Sequence, residues 1–146
     1  MIQFKHMKIY IGSDHTGYEL KEKLKVYLKE LDLGYEVVDQ GAHEYNADDD
    51  YPDFITPVAE AVAKDEGSMG IIMGGSGQGE AMCANRVQGV RAAVFYGQVA
   101  PKEAIDIQGV ESSDPFEIIK LTRRHNDANI LSLAVRFVSE DEAKFA

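Results

Sequence analysis

The chain contains no tryptophan, a single cysteine (Cys83) and only four prolines in 146 residues. One cysteine excludes an intrachain disulfide and any zinc site built on cysteine ligands, and it accords with a reducing compartment. No apolar run approaches the roughly eighteen residues that a membrane-spanning helix needs. Met1–Tyr10 carries no apolar stretch of the signal-peptide kind, so a cytoplasmic protein is expected. Met7 opens a strand-like segment, which leaves Met1–His6 as a leader or an upstream start. Basic residues are also scarce. Fifteen Lys and Arg against 25 Asp and Glu leave a formal net charge of −10, which argues against nucleic acid or an anionic membrane as partner. An anionic ligand must then be held by a few clustered His and Arg residues rather than by a basic surface.

What is present points to one domain over residues 1–146. Hydrophobic residues make up 45% of the chain, an ordinary globular value. A domain of this length buries roughly two-thirds of its unfolded surface without a metal or disulfide staple. Short apolar runs alternate with helical patterns, the signature of a parallel α/β sheet. Strands are predicted at Met7–Gly12, Tyr35–Asp39, Met69–Met73, Arg91–Tyr96 and Asn129–Ala134. Helices are predicted at Glu19–Leu31, Asp53–Lys64, after the Gly74–Gly79 turn to about Val87, and from Asp114 to about Arg124. Gly97–Ser113 reads as irregular. Ser139-Glu140-Asp141-Glu142 is a capping box that announces a helix where only a few residues remain, so the natural chain is expected to continue past Ala146.

Three clusters could carry chemistry. Asp14 and His15 follow the first strand, at the carboxyl end where ligands bind in open α/β sheets; capping of the next helix by Asp14 explains the position equally well. Gly74-Gly75-Ser76-Gly77-Gln78-Gly79-Glu80 follows the third strand. Its glycines let backbone N–H groups approach an anion closely, and it matches neither a dinucleotide fingerprint nor a P-loop. Glu80 falls in the first helical turn after it. Helix-dipole complementation explains an acid there, and spacing alone favours that over a general base. Arg123-Arg124-His125-Asn126-Asp127 ends a helix, where cations are stabilising in any case; Arg136 lies just past the fifth strand. Cys83 is expected to be a small buried residue, and His43 with Asp48-Asp49-Asp50 a solvated loop without Ca²⁺-loop spacing.

Taken together, four blocks resemble the family of ribose-5-phosphate isomerase B and the galactose-6-phosphate isomerase subunits. They are Ile9-Tyr10-Ile11-Gly12-Ser13-Asp14-His15-Thr16-Gly17-Tyr18-Glu19-Leu20-Lys21, Asp50-Tyr51-Pro52-Asp53, the glycine segment Gly74–Glu80 with Ala84-Asn85-Arg86, and Arg124-His125-Asn126-Asp127-Ala128-Asn129-Ile130-Leu131. The match runs from Met7 to about Phe137. It implies a three-layer α/β/α Rossmann-like fold with a five-stranded parallel sheet. It also implies a homodimer, or a tetramer, with sites at the interface, acting on a phosphorylated sugar without cofactor or metal.

The reaction implied is interconversion of D-ribose 5-phosphate and D-ribulose 5-phosphate. By the same resemblance Asp14 and His125 assist ring opening, His15 and Arg136 hold the phosphate, and Gly75, Gly77, Gln78 and Gly79 surround the enediolate. Tyr51 and Asn126 are implied as further substrate contacts. Some members of the family carry a cysteine base at the position of Gly74 and others a glutamate at the position of Glu80; this chain has the second pattern, with Ser76 as companion. It departs in the longer Gly97–Ser113 segment, expected to alter the pocket rim, and in lacking the family's C-terminal helix and basic tail. The alternatives are a galactose-6-phosphate or allose-6-phosphate isomerase, a non-catalytic sugar-phosphate-binding module, and, on fold class alone, a flavodoxin-like nucleotide or flavin binder.

Overall fold

Five apolar runs pair side by side in the computed structural model, which describes residues 6–146. They are β1 (Lys8–Ser13), β2 (Glu36–Asp39), β3 (Met69–Gly74), β4 (Ala92–Phe95) and β5 (Ile130–Ala134). All pair in parallel, in the order β2-β1-β3-β5-β4. Parallel neighbours need crossovers, which α1 (Tyr18–Glu30), α2 (Pro52–Lys64), α3 (Gln78–Ala84) and α4 (Glu117–Asn126) supply; α5 (Glu140–Phe145) follows β5. The expected three-layer α/β/α architecture is therefore observed. The leader reading of Met1–His6 falls, apart from His6, outside the described residues. Among those described, no helix is long and apolar enough to cross a membrane.

Successive strand residues face opposite sides of a sheet, so each central strand feeds two cores. Tyr10 and Ile72 pack with Ile55, Val58 and Val62 of α2 and Ala84 of α3. Ile11, Met73 and Leu133 pack on the other face with Leu20 and Leu24 of α1, Phe116 and Ala143. Each of the larger aliphatic and phenyl side chains contributes roughly 1.5–3 kcal/mol on burial, and the two faces clamp the sheet between them.

The boundaries that differ from expectation have identifiable causes. α3 stops at Ala84 rather than Val87 because Asn85 turns outward to β4: its side-chain amide donates to Ala92 O (3.0 Å) and accepts from Ala92 N–H (2.7 Å). α4 begins at Glu117 rather than Asp114, since the Asp114 carboxylate accepts the Phe116 N–H (2.8 Å) and holds a turn there. It runs on through His125 and Asn126 and ends at Asp127, whose φ of 49° is left-handed. Cys83 is half-buried rather than buried, with its Sγ 3.5 Å from Thr56 Oγ1. Both arms of the Ser139 capping box are made, at 3.1 and 2.8 Å. Gly97–Ser113 is irregular as expected. It folds over β4 and α4, lining a cavity of about 670 Å³ with Val94, Tyr96, Ile118 and Leu121. That places it beside an edge strand, with β5 between it and β3, rather than on the rim of the glycine turn.

Lys21 is the polar exception inside the α1 interface. Its side chain is fully buried, and its Nζ reaches Asp39 (2.8 Å) at the end of β2 and Glu22 (2.7 Å). Asp39 in turn accepts the Gly41 N–H (2.9 Å), and Gly41 O accepts the Ser13 N–H (2.8 Å). This chain of bonds ties the β2 exit to the β1 exit. Removing one partner of a buried pair costs roughly 3–5 kcal/mol, but Lys25 also reaches Asp39 (2.6 Å) and compensates in part. Lys21→Ala should therefore lower the urea-unfolding free energy by about 2–3 kcal/mol, and Lys21→Met, which keeps the volume, by about half as much.

Candidate active site

The chain leaves β1 for β2 on one side and later returns to β3 on the other. The order of the sheet thus reverses between β1 and β3, and loops leaving two such strands diverge around a crevice. The register aligns Ser13 with Met73 and Gly74 with Ala134. Asp14-His15, the glycine turn and the Val135-Arg136 segment therefore emerge side by side.

Glu80 folds back from the first turn of α3 into this cluster and is only 5% exposed. A Cβ added to Gly74 would sit 1.7 Å from Glu80 Oε1, so only glycine at 74 leaves room for the carboxylate. The two family patterns, cysteine at the first position or glutamate at the second, therefore compete for the same space when the glutamate is folded back as here. Burial pushes the Glu80 carboxyl above the usual carboxylate range; the nearby Asp14 charge adds to this, while the N–H groups of Glu80 itself and Gly77 oppose it. A raised proton affinity beside a second acid is the environment that suits a general base.

The turn over this carboxylate is held from below. Gly77 has φ of +71°, a Cβ there would lie 3.2 Å from Ala134 N, and its carbonyl accepts the Ser132 hydroxyl (2.7 Å). The Ser76 hydroxyl accepts the Gln78 N–H (3.2 Å), and both side chains are exposed. The N–H groups of Gly75, Ser76 and Gly79 have no hydrogen-bond acceptor among the described residues. Tyr51, at the start of α2, lays its ring against Gly79: a Cβ there would be 3.3 Å from the phenol oxygen.

Two basic side chains flank the turn. The Arg136 N–H donates to Gly75 O (3.1 Å), and its guanidinium carbon lies 3.2 Å from where a Gly75 Cβ would be. His15 Nδ1 is 2.6 Å from Asp49 Oδ1. That hydrogen bond is the main reason the imidazole holds its proton above the ordinary histidine range. Partial desolvation opposes it, Asp14 and the Asp49 charge add to it, and Arg136 works against it. The buried Asp14 accepts N–H bonds from Thr16 (3.0 Å) and Gly17 (3.4 Å), so it organises the turn into α1 while also facing Glu80.

Asp14, His15 and Asp49 bring potential ligand atoms within 4.8 Å of one another. His15 Nδ1 is committed to Asp49 Oδ1, and one Asp14 oxygen to the Thr16 and Gly17 N–H groups.

Glu80, Ser76, Asp14, His15, Gly75, Gly77, Gln78, Gly79, Tyr51 and Arg136 thus converge as the sequence led us to expect. His125 and Asn126 do not join them. They end α4, and β5 then begins at Ile130, opposite Gly70. That is the amino edge of the sheet, a strand length of about 13 Å from the carboxyl edge. Asp49 is the residue missed, because a run of three aspartates reads as a solvated loop.

The profile of the family described as Ribose/Galactose Isomerase matches residues 9–145. The chain is 37% identical over 137 residues to ribose-5-phosphate isomerase B of Mycobacterium tuberculosis (strain ATCC 25618 / H37Rv), covering 94% of this chain and 72% of that protein. It superposes on the crystal structure of ribose-5-phosphate isomerase B from Mycoplasma genitalium with bound ribulose-5-phosphate. There the TM-score is 0.78 at 37% identity, over 95% of this chain and 80% of that one. Against ribose-5-phosphate isomerase B of Clostridium thermocellum the TM-score is 0.75 at 43% identity, over 94% and 78% of the two chains.

Because the native pKa of Glu80 is raised, its ionised form is disfavoured by folding. The stability this group confers is present below the unfolded carboxylate range and is lost as pH rises through the native value. Glu80→Gln should therefore raise Tm at pH 7, with the difference closing below about pH 4, as read by calorimetry across pH.

Proposed function

The chain belongs to the ribose/galactose isomerase family, and from that membership and the geometry of its site we propose that it interconverts D-ribose 5-phosphate and D-ribulose 5-phosphate. It is an aldose–ketose isomerase. One observation carries the mechanism: a buried carboxylate of raised proton affinity lies beneath a turn with unoccupied N–H donors, between two cations.

In this reading His15 and Arg136 hold the phosphate. Binding at that remote group can be used to place the reacting carbons over Glu80. The sugar opens with help from Asp14. Glu80 takes the C2 proton of the aldose, giving an enediolate, and returns it to C1. General-base catalysis of this kind supplies typically 10²–10⁴-fold. The developing oxyanion accepts N–H bonds from the glycine turn, and one such donor is worth roughly 3–4 kcal/mol. Ser76 stands beside the turn to hydrogen-bond the substrate hydroxyls, and the Tyr51 ring closes one wall. Gln78 lines the opening.

The reading extends to a homodimer in the cytoplasm. His125 is exposed at the amino edge of its own sheet, so the ring-opening acid is supplied as the partner subunit's His125, with the partner's Asn126 beside it. Asp14, Ser76, Glu80 and His125 all stand in one sequence, which supports a single self-sufficient gene product over a pair of specialised subunits. The buried, strained-for-space position of Glu80 favours catalysis over a binding module, since ligand capture alone needs no acid there.

An assay on ribose 5-phosphate, galactose 6-phosphate and allose 6-phosphate tests the substrate; turnover of a hexose phosphate alone would discard the pentose assignment. Glu80→Gln should lower kcat by about 10²–10⁴-fold with substrate affinity largely kept, and an unchanged rate would remove Glu80 as base. Glu80→Gln and His125→Ala, each inactive alone, should recover activity when co-expressed. In a random mixture of dimers about a quarter of the sites are intact; no recovery would sink the shared site.

A further inference from the structure

Asp48 and Asp50 are exposed, but the side chain of Asp49 between them is only 6% exposed. Asn46 sets this up: its carbonyl accepts the Asp49 N–H (3.1 Å) and its side chain the Asp48 N–H (3.0 Å), so the loop turns Asp49 inward. One oxygen, Oδ1, then meets two atoms of one residue, the His15 backbone N–H at 2.9 Å and ring Nδ1 at 2.6 Å. The other, Oδ2, is buried with no partner. An ionised carboxylate only accepts, so the proton between them sits on Nδ1. That decides what the far side of the ring can do. In the neutral ring Nε2 carries a lone pair and repels a phosphate oxygen; in the imidazolium it carries N–H and donates.

We propose that Asp49 is a positioning residue: by clamping the backbone N–H and the ring Nδ1–H of His15 with one oxygen, it presents Nε2–H to the phosphate of the substrate. This rests on the phosphate-binding role given to His15 above. The same clamp makes capture of the ligand depend on pH. The charged and titratable groups facing the ring are Asp49, Asp14 and Arg136, with the Tyr45 ring edge-on at 6.4 Å. The hydrogen bond to Asp49 is the largest influence and raises the pKa, so the cation persists above the ordinary value near 6.5 and is lost only at higher pH. A sugar phosphate becomes a dianion above about pH 6. The window of tight binding therefore opens as the phosphate ionises and closes as His15 loses its proton. Without the Asp49 charge the closing limb moves to lower pH.

The test is Asp49→Asn, which keeps shape and an acceptor oxygen but not the charge. At pH 7.5–8 its KM for ribose 5-phosphate should rise about tenfold, the worth of one charge-assisted hydrogen bond, with kcat within about twofold and the gap narrowing toward pH 6. In a His15→Gln background the same change should add nothing further to KM; an additive loss there would mark a general effect on the fold and overturn the proposal. Nitrogen-labelled His15 gives a readout independent of both variants and turnover. In the unmutated protein its neutral form should carry the proton on Nδ1, and inorganic phosphate should shift its Nε2 resonance. A proton found on Nε2 instead refutes the clamp even if no variant folds. Should the protein bind phosphate in this way yet turn over no sugar phosphate, the isomerase reading fails and the clamp stands.

Discussion

Glu80 occupies the space that a side chain on residue 74 would fill, and much of the site follows from that one exclusion. Because the carboxylate must fit against bare backbone, β3 has to end in glycine. The turn that follows must then rise over the carboxylate and come back down into α3, which Gly77 achieves in a left-handed conformation locked to β5 through Ser132. The burial that results leaves the acid short of water and raises its proton affinity. Stability and chemistry pull in opposite directions at this residue: the environment that disfavours the charge is the one that makes the charged form eager for a proton.

The charge layout solves a related problem. A chain with a net charge of −10 repels a sugar phosphate at long range, so attraction has to be built at short range. In the proposed reading His15 and Arg136 do this from two different strand ends, flanking a turn whose N–H groups also favour an anion. Acids sit behind them rather than in front. Asp49, and Asp14 more weakly, back the imidazole and raise its hold on the proton. Few residues are involved, which is why composition carried no hint of an anion site.

Sequence patterning located the strands because buried parallel strands are short, apolar and bounded by turn residues, and Met69–Gly74 is a clear instance. The ends of helices were less legible. α3 ends early because Asn85 bonds to a strand seven residues on, and α4 starts late because Asp114 caps a turn first; both are choices between local and tertiary partners that periodicity does not register. At the site, glycines announced the turn because only backbone constraint explains so many together. Glu80 was ambiguous until its burial was seen, since an acid in a first helical turn has a sufficient electrostatic reason to be there. Asp49 was invisible for a different reason: its neighbours are the same residue type and point to water. The separation of His125 from Glu80 is a matter of sheet direction, and a list of motifs in order contains no edges.

The Asn85–Ala92 pair bears on how copies of this chain can meet. β4 lies at the margin of the sheet with one side facing away from β5, and an open margin invites another strand to add on. Asn85 fills both outward-facing backbone groups of Ala92 with its amide, acting as a one-residue substitute strand. In a strand of four residues that leaves only Val94 pointing outward, too little to set a register. Continuous sheets across molecules are thereby disfavoured on that side, and an assembly through it has to be made by side chains projecting from helices and loops. Specificity of self-recognition is then written in surface shape, where a polypeptide ladder would accept almost any sequence.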